Sequence, residues 1–168
     1  RNSFWMVVCN TAQIEWILKS KPINKYDVFV KIDTGMGRLG FQEEDSIKVI
    51  SALEKSSNVR KITLMTHFSS ADNQGSDSTK IQINMFNEII ETKQNDQSLS
   101  NSAAIMACPE THREFTRPGI MLYGSSPFSF DEKPNELIPA MTLETSLISL
   151  KKFKSGDTIG YGQRYVCE

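Results

Sequence analysis

Two rhythms of apolar and polar positions run along the first two thirds of the chain, and they change in the last third. Asp27 to Asp33 is an apolar, β-branched run that reads as a strand. Glu43 to Lys55 reads as a helix, with Ile47, Ile50 and Leu53 at helical spacing and acids in the first turn, where the helix dipole favours negative charge. Lys61 to Phe68 (K-I-T-L-M-T-H-F) is the next strand, and a polar loop leads to a helix near Thr79 to Thr92 on which Ile81, Met85 and Ile89 share a face. A third strand candidate ends at Leu99-Ser100-Asn101-Ser102, before a short helix from Ala103 to Cys108. Another strand candidate runs from Phe115 to Tyr123, interrupted by Pro118. This alternation argues for an α/β fold, a parallel sheet covered by helices.

After Pro127 the pattern changes. Met141 to Leu150 sets Thr, Leu and Ile in near alternation, Lys154 to Asp157 is turn chemistry, and Thr158 to Val166 reads as another strand. Those features predict the start of an antiparallel β domain, with S-S-P-F-S-F-D-E-K-P-N-E, residues 125 to 136, as the linker. The expected division is 1–126 for the α/β part and 127–168 for the linker and the first β-domain strands.

Strand periodicity places the polar residues. In the first strand Phe29, Lys31 and Asp33 share one face, and Val28, Val30 and Ile32 the other; in the second, Thr63, Met65 and His67 share a face. Ser102 and Arg117 also fall at or near strand ends. Polar residues at the C-terminal rim of successive βα units suit a (β/α)₈ barrel active site. A Rossmann-like sheet places its ligand at strand ends too, so the pattern leaves both folds open.

Composition narrows the partners. Nineteen basic residues against twenty acidic ones leave a formal charge of -1, which predicts neither nucleic-acid nor anionic-membrane binding. Cys9, Cys108 and Cys167 are far apart and odd in number, which suits a reducing cytoplasm and assigns no metal. No signal peptide or apolar run near 18 residues is visible. The chain opens on Arg-Asn-Ser and closes directly after a strand candidate, so a piece of a longer polypeptide is expected.

Gly35, Gly37 and Gly40 spell G-x-G-x-x-G after the first strand, which raises dinucleotide binding. That fingerprint wants an acidic residue at the end of the second strand, whereas Thr66-His67 stands there. Lys31, Asp33 and Arg38 also crowd the motif with charge. A tight loop with positive-φ glycines is the better reading.

Five stretches together resemble the bacterial alanine racemase family: V-K-I-D-T-G-M-G-R-L-G-F (30–41), T-H-F-S-S-A-D (66–72), L-S-N-S-A-A (99–104), R-P-G-I-M-L-Y-G (117–124) and I-G-Y-G-Q-R-Y (159–165). The resemblance spans nearly the whole chain. It implies part of a (β/α)₈ TIM barrel that binds pyridoxal 5′-phosphate, here its later βα units, followed by the first strands of a C-terminal β domain. It also implies alanine as substrate and a head-to-tail homodimer.

The resemblance assigns roles residue by residue. Arg38 corresponds to the arginine that meets the substrate carboxylate, a task suited to a planar guanidinium. Lys31 corresponds to a lysine that many members carry as a carbamate; an ordinary ion pair with Asp33 is the other reading. Arg117 corresponds to the arginine facing the pyridine nitrogen, and His67 to the histidine beside the ring. Ser102 and the backbone of Gly119 and Ile120 correspond to the phosphate cradle. Tyr161 corresponds to the catalytic tyrosine that exchanges the α-proton on one face of the substrate in the neighbouring subunit's site. Taken singly, each of these residues also suits a plain structural place.

Two-base exchange needs a second base, which in the family is a Schiff-base lysine in a V-K-A-N-A-Y-G-H type motif. No such motif occurs in these 168 residues, and a complete barrel takes roughly 250. The chain alone is therefore expected to be inactive, and its cut sheet edges to associate or leave it poorly stable. A racemase for another amino acid, or a non-catalytic binding fragment, are the alternatives.

Overall fold

A computed structural model describes residues 4–129 and 137–168. Four parallel strands lie in the order β1 (Trp5–Val8), β2 (Tyr26–Lys31), β3 (Val59–Met65) and β4 (Asp96–Ser98). Helices α1 (Thr11–Lys19), α2 (Glu43–Glu54) and α3 (Ser78–Ile90) connect them, and α4 (Ser102–Ala107) follows β4. Consecutive neighbours joined by helices put every strand's C-terminal end on one rim.

The core lies between the sheet and its helices. Val8, Val28, Val30, Ile32, Ile62, Leu64 and Leu99 meet Ile14, Ile17, Ile50, Leu53, Phe86 and Ile89 there. The opposite sheet face carries Trp5, Phe29 and Phe115 with ring centroids 5.3–5.6 Å apart, and Lys61, ion-paired with Asp96 at 2.5 Å, lies over two of those rings. β1 is an edge strand, and Phe4, Trp5 and Val7 beside it are exposed.

Several expectations need correction. The structure adds β1 and α1 to the expected elements, and Asn10 caps α1 by accepting from the Gln13 N–H. On α2 the buried positions are Ser46, Ile50 and Leu53, whereas Ile47 is exposed; on α3 they are Thr79, Gln82, Phe86, Ile89 and Ile90, whereas Ile81 is exposed. Phe115 to Tyr123 is not a strand. Its first residues extend the sheet beside β4 through Phe115 N–H to Gln97 O at 3.1 Å and Arg117 N–H to Ser100 O at 3.0 Å. Pro118, which has no N–H, ends that pairing, and a 3₁₀ turn spans Ile120–Tyr123.

The last third departs most. Met141 to Leu150 forms no strand, and Leu143 and Ile148 are fully exposed. Thr158 to Val166 is two short antiparallel strands, β5 (Thr158–Ile159) and β6 (Tyr165–Val166), around a 3₁₀ turn at Tyr161–Gln163. Alternation alone makes no strand where no neighbouring strand accepts its hydrogen bonds. Residues 130–136 of the expected linker lie outside the described residues.

Candidate active site

The glycine loop is held by its own aspartate. After β2 the chain turns at Asp33, whose Oδ1 accepts from the N–H groups of Gly35 at 3.0 Å, Met36 at 2.9 Å and Gly37 at 3.1 Å. Burial raises the Asp33 pKa, but these three N–H groups and nearby Lys31 outweigh it and leave the carboxyl below its ordinary value. The backbone donors a dinucleotide phosphate would need are thus already committed. At Gly40, with φ +121°, a β-carbon would stand 2.9 Å from both Lys31 O and Asp33 N, so only glycine lets the returning chain pair with the end of β2.

Arg117 joins the strand ends. Its Nη1 donates to Ser98 O at 2.8 Å and Ser98 Oγ at 2.5 Å, and its Nη2 to Thr66 O at 2.5 Å and Leu99 O at 3.3 Å. Nη2 also lies 3.4 Å from His67 Nδ1. A guanidinium only donates, so Nδ1 must accept and the imidazole proton sits on Nε2. Burial, then the charges of Lys31, Arg117 and Arg38, push His67 down to about 4 and keep it neutral. Burial pushes Arg117 down to about 10. No hydrogen bond from Arg117 Nε is found among the described residues, which leaves one donor for a ligand.

Lys31 shares a row of the sheet with Met65 and Ser98, one step below His67 and Arg117. It is buried and makes no ion pair among the described residues, so the simple Lys31–Asp33 pair is not formed. Burial, then Arg117 and Arg38, push its pKa down to about 8. Arg38 is exposed on the glycine loop, close enough for its charge to act on both Lys31 and His67.

Beyond Arg117 the chain passes the start of α4. Ser102 Oγ accepts from Gly119 N–H at 2.8 Å and Met121 N–H at 3.4 Å. A β-carbon on Gly119 would meet only that Oγ at 3.6 Å, so the chain's own packing does not demand glycine there. Ser102, Gly119 and Ile120 line a cleft of about 460 Å³ together with His67, Asp72 and Arg117. Tyr161 is not brought there; it lies fully exposed on the β5–β6 turn.

Sequence reasoning missed the residues beneath this rim. Gln82, on the buried face of α3, bonds Thr34, His67 and Ser69, and Thr34 Oγ1 lies 2.7 Å from Thr66 Oγ1. A glutamine at i+3 from one buried residue and i−4 from another, Thr79 and Phe86, is the signal that could have found it.

Fold and site define an α/β protein that presents cationic and hydrogen-bonding groups at the C-terminal ends of parallel strands. Residues 1–127 match the family described as "Alanine racemase, N-terminal domain". The chain is 42% identical over 161 residues to the alanine racemase of Shewanella sediminis (strain HAW-EB3), an alignment covering 95% of this chain and 45% of that protein. The crystal structure of the biosynthetic alanine racemase from Pseudomonas aeruginosa superposes with a TM-score of 0.82 at 34% identity, over 98% of this chain and 46% of that one. Histidine racemase from Leuconostoc mesenteroides subsp. sake NBRC 102480 gives a TM-score of 0.73 at 28% identity, over 85% of this chain and 40% of that one.

The chain belongs to the alanine racemase family, and it spans about half the length of the curated relatives it matches. Assignment of residues 1–127 to the family's N-terminal domain replaces the narrower expectation of later barrel units.

Proposed function

We propose that this chain carries the substrate- and cofactor-binding rim of a pyridoxal-phosphate enzyme that interconverts L- and D-alanine. The observation that carries the reading is the Arg117–His67 pair, fixed over the strand ends beside Lys31 and Arg38. The donor set fits an anionic, ring-shaped cofactor. Arg117 Nε remains for an acceptor, and the Ser102 hydroxyl, which accepts from the Gly119 and Met121 N–H groups and can still donate its own proton, lines the same cleft with Gly119 and Ile120.

When bound, the cofactor supplies an electron sink for the α-carbon. The chain's own groups do the rest. Arg117, which keeps its proton, would offer its Nε–H as a donor to the cofactor's ring nitrogen without passing a proton to it, which would disfavour transamination. His67, neutral with its Nδ1 committed to Arg117, holds that guanidinium in place. Arg38 takes the substrate carboxylate at the rim, where its exposed guanidinium can form a paired contact. Lys31, with a pKa of about 8, has a neutral fraction just above neutrality that can add carbon dioxide, forming an N–C bond with loss of a proton; the resulting anion would hold Arg38. Tyr161 exchanges the α-proton on one face, in the site of a second copy, which accounts for its complete exposure here. The base for the other face is a lysine outside these residues, so the activity belongs to a longer polypeptide.

The test is chiral detection of product from L-alanine with the full-length protein and pyridoxal phosphate. D-alanine formation is expected; a folded, cofactor-loaded protein that leaves L-alanine unchanged would sink the reading. A second reading, a racemase for a larger amino acid, is favoured by the likeness to histidine racemase. Faster turnover of histidine than of alanine would select it.

A further inference from the structure

We infer that Gln82 is a positioning residue that locks the Arg38-bearing loop after β2 to the His67–Arg117 pair after β3. All four hydrogen-bonding positions of its side-chain amide are used. Nε2 donates to Thr34 Oγ1 and to His67 O, each at 3.1 Å, and Oε1 accepts from Ser69 N–H at 2.9 Å and Ser69 Oγ at 3.1 Å. The backbone partners fix which way the amide points, because a carbonyl can only accept and an N–H can only donate.

Gln82 is 2% exposed, so water does not replace these bonds when they are lost. Each partner leads to the rim. Thr34 follows Asp33, whose carboxylate holds the Gly35–Gly37 loop that presents Arg38, and Thr34 Oγ1 continues to Thr66 Oγ1. Thr66 O in turn accepts from Arg117, and His67 O is held by Gln82 itself. One helix side chain thereby sets the spacing between the groups proposed to hold the substrate carboxylate and the cofactor. Misplacing such groups by about 1 Å costs on the order of 100-fold in rate.

The inference rests on the racemase reading only for its kinetic readout. The experiment uses the full-length protein carrying Gln82→Met, which keeps the length and removes the amide. Thr34→Val removes one arm of Gln82 together with the Thr34–Thr66 hydroxyl contact and leaves the bonds to His67 and Ser69, and Ile89→Val is a buried change on the same helix away from the rim. Without cofactor, Gln82→Met is expected to speed amide exchange at Gly35, Met36 and Gly37 by about 10-fold or more and to move the His67 imidazole titration toward its ordinary value. Thr34→Val is expected to speed the same amides and leave the His67 titration in place. With cofactor, both should raise the KM for alanine, by about 10- to 100-fold for Gln82→Met.

Ile89→Val should lower the melting temperature and move none of these readouts. If Gln82→Met, or Thr34→Val should the first not fold, behaves like Ile89→Val, the inference is overturned. If the wild-type protein does not racemise alanine, the functional reading fails, while the exchange and titration results still decide the role of Gln82.

Discussion

Residues 26–117 and residues 137–168 have similar shares of apolar side chains to bury and opposite means of burying them. In the first region Val30, Ile32, Leu53, Leu64 and Phe86 are completely buried between sheet and helices. In the second, Leu143, Leu147, Ile148 and Leu150 are all exposed. Local pattern makes structure only where a neighbouring strand or helix supplies hydrogen bonds and a covering surface. The rim groups sit in the first region, while Tyr161 sits exposed in the second.

That contrast is broken most directly by paired substitutions. Leu64→Ala removes a fully buried side chain and is expected to cost about 2–5 kcal/mol in chemical denaturation, whereas Leu143→Ala should stay within about 0.5 kcal/mol in the same chain. Equal losses would mean that residues 137–168 are packed. Arg117→Ala should come next. It removes the Arg117 donors from the carbonyls of Thr66 and Leu99, while Ser98 O keeps the Thr66 N–H, and is expected to cost about 3 kcal/mol and to abolish pyridoxal-phosphate binding, measured by equilibrium dialysis of the full-length protein.

Smaller effects sharpen the same picture through pH. His67 titrates at about 4 when folded against an ordinary 6.5, so the unfolded chain binds more protons between those values. Stability is therefore expected to fall as the pH drops through that window, and His67→Gln should flatten the fall in urea melts. Lys31 is pushed from 10.5 to about 8 by burial first, so its neutral form is the better accommodated one. Stability should rise as the pH climbs from about 8 toward 10.5, and Lys31→Met should remove that rise.

Much of this was legible in the sequence, for identifiable reasons. β2 and β3 are apolar runs ended by polar residues, and their periodicity placed Lys31, Asp33 and His67 on the face and at the end where the structure has them. The α3 face was legible in part: Ile89 is buried and Met85 packs against the core, but the stripe also contains Gln82 and Thr79, which a search for apolar spacing passes over in favour of the exposed Ile81. β1 escaped because its four residues show no alternation, with Trp5 and Val7 turned to an open face. Met141 to Leu150 carried a strand's alternation without a strand's partner. Arg117 gave no hint from periodicity of its four strand-end acceptors, since these come from three residues at the ends of two strands.

The central claim, that this rim serves α-proton exchange on alanine, is tested most directly by deuterium incorporation. Full-length protein with pyridoxal phosphate would be incubated in D₂O with L-alanine and, separately, with D-alanine, and the α-position read by proton NMR. The account predicts that both enantiomers exchange and interconvert, and that Tyr161→Phe suppresses exchange from one enantiomer far more than from the other. Retention of the α-proton in both enantiomers by a cofactor-loaded wild-type protein would contradict it.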